Sequence, residues 1–195
     1  MRRALAAVAA ALALAGCHTA PLKPALAPDP GQREALAALS DWRASGRVAV
    51  RVAAAGWSAS FEWREHLEQG ELAIRGPFGG GAARVSVSAE RIRIDSGGPP
   101  LELAAPFVEL EPELTARLGF PLPLAVLRYW LLGIPSPMLP RAEHAAGFEQ
   151  ADWEVAYSDY AQVAGSAPAL PTRLELSRGS TRIRVIVDRW QVGGG

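Results

Sequence analysis

The stretch GRVAVRVAAAGWSASFEWR, residues 46–64, decides the architecture of this chain. In its first half Val48, Val50 and Val52 share one face while Arg47 and Arg51 occupy the other. That period of two puts one side of an extended chain in a core and the other in water. After a short run of alanine and glycine the pattern resumes, with Trp57, Ala59, Phe61 and Trp63 on one face and Ser58, Ser60, Glu62 and Arg64 on the other. Working outward, the same alternation recurs in ELAIR (71–75), ARVSVS (83–88), RIRID (91–95), PLEL (100–103), GFEQ (147–150), WEVAY (153–157), RLELS (173–177) and RIRVIVDRW (182–190). Glycine or proline punctuates the connections, as antiparallel hairpins require.

Between Phe107 and Gly133 the period changes. Leu110, Leu114 and Leu118 are spaced by four, and LAVLRYWLLG (124–133) sets Leu124, Leu127 and Leu131 on one helical face with Gly133 as its stop. A further helix is expected over QREALAALSD (32–41), where Leu36 and Leu39 lie three apart. The composite is mainly β, of the α+β class: a single curved antiparallel sheet, apolar face inward, with a few helices laid over that face. Periodicity alone favours a filled core over a greasy pocket beneath those helices.

The N-terminus reads as an export signal. Arg2 and Arg3 precede an apolar run from Ala4 to Ala15, shorter than the roughly 20 residues of a membrane-spanning helix. The run ends in Leu14-Ala15-Gly16-Cys17, which resembles the bacterial lipobox, and Cys17 is the chain's single cysteine, so no internal disulfide is possible. Residues 1–16 are therefore expected to be cleaved and Cys17 to be lipidated. Residues 17–30, with Pro21, Pro24, Pro28 and Pro30, are expected to form a tether and residues 31–195 the folded domain. Bacterial sorting commonly retains lipoproteins with aspartate after the cysteine in the inner membrane. His18 in that position points to the outer membrane.

Several function classes are disfavoured. Twenty basic and twenty acidic side chains cancel, so nucleic acid is not an expected partner. The three histidines, His18 on the tether and His66 and His144 in expected polar turns, lack metal-site spacing. There is neither a nucleophile elbow nor a phosphate loop in the sequence. Glu109, Glu111 and Glu113 lie two apart on an expected helix and so do not converge as paired catalytic carboxylates. The glycines of GPFGGGAAR (76–84) have no following lysine and are only a weak phosphate signal. The expectation is a protein that is not an enzyme and uses no cofactor or metal.

WRASGRVAV (42–50), RGPFG (75–79), FPLPLAVLRYWLLGIP (120–135), DWEVAYSDY (152–160), LPTRLELS (170–177) and RIRVIVDRW (182–190) together resemble the LolB family of outer-membrane lipoprotein receptors. The most specific match is Leu127, Arg128, Trp130, Gly133 and Pro135, a pattern like L-R-x-W-x-x-G-x-P. The resemblance implies an incomplete β-barrel capped by helices around a hydrophobic cavity for acyl chains, which reverses the preference for a filled core. It also implies the function. A monomer anchored through Cys17 and facing the periplasm would receive acylated lipoproteins from a soluble LolA-type carrier and pass them into outer-membrane lipid without an energy source. Trp57, Phe61, Trp63, Leu127 and Trp130 are the candidate cavity residues. Gly76, Pro77, Phe78 and Gly79 are the candidate membrane-contacting loop, with phenylalanine at the tip where the family carries leucine. Two alternatives stand beside this reading. One is the soluble carrier of the same pathway, which the lipobox disfavours, and the other is a scaffolding outer-membrane lipoprotein.

Overall fold

The computed structural model describes residues 29–76, 82–104, 111–118, 120–164 and 168–193. A helix, α1 (Pro30–Ala37), leads into strands β1 (Asp41–Val52), β2 (Ala55–His66), β3 (Gln69–Arg75), β4 (Ala82–Val87), β5 (Arg91–Asp95) and β6 (Leu101–Ala104). Helices α2 (Glu111–Leu118) and α3 (Leu124–Leu131) follow, then β7 (Ala142–His144), β8 (Gly147–Gln150), β9 (Trp153–Ala161), β10 (Leu170–Arg178) and β11 (Thr181–Val192). All eleven strands form one antiparallel sheet in the order β6-β5-β4-β3-β2-β1-β11-β10-β9-β8-β7, and it is not closed into a barrel.

Every neighbouring pair in that order is consecutive along the chain except β1 and β11, which meet at the centre. The two edges, β6 and β7, are joined by the segment carrying α2 and α3. The helices thus hang between the open edges of the half-barrel.

Alternation sorts side chains as expected. Ala44 of β1 lies opposite Trp63 of β2 and Trp190 of β11, and Val50 lies opposite Trp57 and Ile183. At the core, Trp42 stacks on Trp63 at 6.2 Å and tilts against Trp190 at 5.4 Å. Such aromatic pairs add about 0.5–1.5 kcal/mol each beyond the area they bury.

The first helix differs in its limits from the expected 32–41. The Asp29 carboxylate accepts from the backbone of Gln32, whose side-chain oxygen in turn accepts from the Asp29 backbone N–H, and Pro30 occupies the first turn, so α1 begins earlier. It ends at Ala37 because Asp41 already pairs with His66 in the sheet. Leu36 is nevertheless fully buried and Leu39 packs against the core. His66 and His144 are the last residues of β2 and β7, not turn residues. The β7 strand itself was not legible, because its Ala-Glu-His is exposed throughout and carries no apolar alternation.

Two hairpins close without the glycine or asparagine that usually marks them. Leu67 and Glu68 have φ of 46° and 65°, and Ala151 and Asp152 have 53° and 62°. Two consecutive positive φ values match the right-handed twist of flanking strands. α3 ends where Gly133 was expected to stop it, with φ +85°. Gly133 donates to the Trp130 carbonyl and Ile134 to the Tyr129 carbonyl, the paired bonds of a Schellman motif. On the expected Leu110, Leu114 and Leu118 face, the side chains lie outside the described residues.

Candidate functional site

The inner faces of the central strands meet α3 around a small cavity of about 40 Å³ with a wholly apolar wall. Phe61 and Trp63 from β2, Leu72 from β3, Leu127 and Leu131 from α3, and Ile183 from β11 are among its lining residues. A gap with only apolar groups around it offers water no hydrogen-bond partners.

Of the five residues singled out for a cavity, Phe61, Trp63 and Leu127 come together on that wall. Trp57 does not. It continues the inward face of β2 beyond the last β3 pairing at Ser60–Arg75, so the residue is 39% exposed, and its ring packs edge-on against Phe120 at 5.0 Å. Trp130 lies on the far side of α3, fully buried and 6.2 Å from the Phe148 ring. Its indole N–H donates to Gln150 Oε1 at 3.0 Å. Gln150 also accepts from the Ser136 backbone at 2.8 Å and donates to the carbonyls of Ser136 and Leu139. The Tyr157 hydroxyl donates to the Trp130 carbonyl at 2.8 Å, so the C-terminal end of α3 is held by β8 and β9. Gly76, half-buried, follows the last residue of β3. Pro77, Phe78, Gly79 and Cys17 lie outside the described residues.

The other attachment of α3 was not read from the sequence. Glu65 extends the inward row of Phe61 and Trp63 by one more step and is only 2% exposed. Its Oε2 accepts from Trp63 Nε1 at 2.9 Å. Its Oε1 lies 3.0 Å from Arg128 Nε of α3, an ion pair without the alignment of a hydrogen bond. Arg128 also stands 3.8 Å from Glu68 and covers the Tyr129 ring at 4.9 Å. Burial raises the Glu65 pKa, while the Trp63 hydrogen bond and the Arg128 charge pull it down. A glycine is required at position 70, since a Cβ there would approach Trp63 Cζ2 to 2.5 Å and Glu65 Oε2 to 3.2 Å. The signal was present in the sequence, as an acidic residue at an inward strand position. Its partner, more than sixty residues away, was not.

These features define a class, the incomplete antiparallel barrels whose apolar interior is roofed by a helix fastened to the sheet through polar side chains. Residues 40–190 match the family described as outer membrane lipoprotein LolB. Over almost their whole lengths, the outer-membrane lipoprotein LolB of Alkalilimnicola ehrlichii is 37% identical (97% of each chain). That of Halorhodospira halophila is 34% identical (96% of this chain, 94% of the relative). That of Nitrosococcus oceani is 31% identical (92% of each). The chain belongs to the LolB family of outer-membrane lipoproteins. No helix among the described residues is long and apolar enough to cross a membrane.

Proposed function

We propose that this chain is the receptor that takes acylated lipoproteins from a soluble, LolA-type periplasmic carrier and releases them into the outer membrane. The observation that carries the reading is the wholly apolar cavity between the sheet and α3. An acyl chain of roughly fifteen methylenes, at about 0.8 kcal/mol each, holds on the order of 12 kcal/mol of membrane affinity and cannot cross water unshielded. Apolar contacts recognise such a chain without regard to the protein attached to it. At about 40 Å³ the cavity is far below the roughly 300–1,000 Å³ of ligand pockets. Acceptance therefore requires α3 to swing away from the sheet, with Phe61, Trp63 and Leu127 as the first surfaces uncovered.

In this reading residues 1–16 are removed, acylated Cys17 holds the protein in the outer membrane, and the residues between Cys17 and the Asp29 cap of α1 tether a monomeric domain that faces the periplasm. Transfer runs downhill from carrier to receptor to bilayer, with no cofactor and no catalytic residue. The loop Gly76-Pro77-Phe78-Gly79 contacts the bilayer. The test uses the mature chain carrying Cys17→Ala, exported behind a cleavable signal and mixed with carrier loaded with acylated lipoprotein. Recovery of the lipoprotein on the receptor is the expected result. If the cargo stays on the carrier, the receptor reading fails.

A further inference from the structure

The outward face of the four central strands holds a hollow whose chemistry is opposite to that of the cavity. Two cross-strand rows build it. Gly56, Arg51, Arg182 and Ser177 lie abreast on β2, β1, β11 and β10, and Ser58, Ala49, Arg184 and Glu175 lie abreast one pleat further along. The residues between the arginines are small, so the guanidinium groups surround an open depression of about 740 Å³.

The charges in this hollow are unbalanced. Arg51 and Arg182 face each other directly across β1 and β11, an arrangement that destabilises a sheet. Glu175 is shared between Arg182 at 3.3 Å and Arg184 at 2.6 Å. No carboxylate among the described residues pairs with Arg51. The acidic residues nearby, Glu149, Asp152 and Glu154, line an adjoining hollow on the β8 and β9 side that shares Ser177, Gly179 and Arg182 with this one, and Glu154 accepts from Ser177. The β1 and β2 side, with Gly56 and Ser58, offers Arg51 hydroxyl and backbone groups only.

The position is as informative as the charge. Strand directions alternate, so the β1–β2 turn, the β10–β11 turn and the ends of β3 and β4 that flank the Gly76–Gly79 loop all leave the sheet at one end. The arginine hollow adjoins that end, and half-exposed Trp57 borders it. A guanidinium cluster beside an exposed indole is a combination suited to the interfacial zone of a bilayer, where the ring sits among headgroups and arginine binds phosphate oxygens in pairs.

We infer that Arg51, Arg182 and Arg184 form a binding site for the phosphate of an anionic phospholipid headgroup, which fixes the end of the half-barrel that faces the membrane. The inference rests on the receptor reading for its purpose, but not for its test. The ligand supplies a counter-charge to Arg51, which no carboxylate among the described residues pairs, and relieves the Arg51–Arg182 repulsion.

The experiment is co-sedimentation of the unlipidated mature chain (Cys17→Ala) with vesicles of phosphatidylcholine alone or mixed with phosphatidylglycerol. The variants are Arg51→Ser, Arg182→Ser and the charge-preserving Arg51→Lys. The parent chain is expected to prefer phosphatidylglycerol. Arg51→Ser is expected to lose about fivefold of that binding, as removal of one basic residue near an anionic surface implies. Arg51→Lys should retain most of it. Arg51→Ser should also unfold at the same or a slightly higher temperature, since a repulsion is removed, so weaker binding cannot be ascribed to misfolding. Equal binding to both vesicle types, or unchanged binding by Arg51→Ser, overturns the proposal. So does protection of Arg51 by inorganic phosphate in a chain that ignores phosphatidylglycerol, which would make this a site for free anions. Acceptance of cargo from the carrier is measured on the same samples. Its loss in the parent chain counts against the receptor reading and leaves the lipid result standing.

Discussion

Leu127 faces a cavity of about 40 Å³, too small for the additional ring atoms of tryptophan. Leu127→Trp is expected to cost about 1–3 kcal/mol through overpacking and to weaken alkyl-chain binding at the same wall. Chemical denaturation and titration with a fluorescent fatty acyl probe read the two effects separately. A destabilised variant that binds the probe normally would remove Leu127 from the binding surface. Phe78 carries the complementary test at the bilayer. Burying its ring in the acyl boundary contributes roughly 1.5–3 kcal/mol, enough to orient a tethered domain and too little to anchor it. Phe78→Glu is therefore expected to accept cargo from the carrier but fail to insert it, with Phe78→Leu close to the parent. Normal insertion by Phe78→Glu, or failure already at acceptance, would end the membrane-contact role.

At the scale of elements, the roof helix α3 is fastened by polar groups set within an apolar interior. Arg128→Ala leaves the Glu65 carboxylate buried without its counter-charge, which costs roughly 3–5 kcal/mol. The sign of the pH response follows from the raised pKa of Glu65. The folded state holds that proton more tightly than the unfolded state, so this group's contribution grows as pH falls toward the ordinary carboxylate range and is lost as pH rises through the raised value. Removing the Arg128 charge strengthens the trend. Arg128→Ala should thus recover part of its lost stability in mildly acidic buffer, and denaturation curves across that range check it. α1 behaves oppositely. Arg33 holds Glu143 of β7 at 2.6 Å, and with Arg141 it lowers the Glu143 pKa from 4.5 to about 2. That contact is present above pH 4.5 and is lost as pH falls toward 2. Both partners are at the surface, so the effect on global stability is small. Amide exchange confined to α1 should rise over this window while the sheet stays protected.

For the whole molecule, the decisive connection is the pairing of β1 with β11. It joins the first and last strands at the middle of the sheet and leaves β6 and β7 as the edges between which α2 and α3 are slung. Ending the chain at Ser180 would expose the long edges of β1 and β10 together and remove Ile183, Val185 and Val187 from the core. The expected outcome is loss of cooperative unfolding by circular dichroism, whereas ending it at Gly193 should leave the transition unchanged. A cooperative transition in the shorter chain would mean that the two halves of the sheet are separate folding units.

Much of this architecture was legible because strand alternation is a local property. Val50, Phe61, Trp63, Ile92 and Val185 could be assigned to the inner face one by one, and Gly133 marked the helix stop through its own backbone preference. The family motif around Leu127 and Trp130 added the capped half-barrel and its interior. Partnership was not legible, because alternation says which way a side chain points and nothing about what it meets. The same row that correctly turned Phe61 and Trp63 inward also contained Trp57, which lies beyond the last β3 pairing, and Glu65, which finds Arg128 only after α3 folds back across the sheet. The short exposed β7, the abreast arginines of the outer hollow and the size of the cavity are likewise products of register between distant segments. Local periodicity determined the strands and their faces; the tertiary structure decided which faces meet, because those contacts depend on register and crossing between residues far apart in the chain.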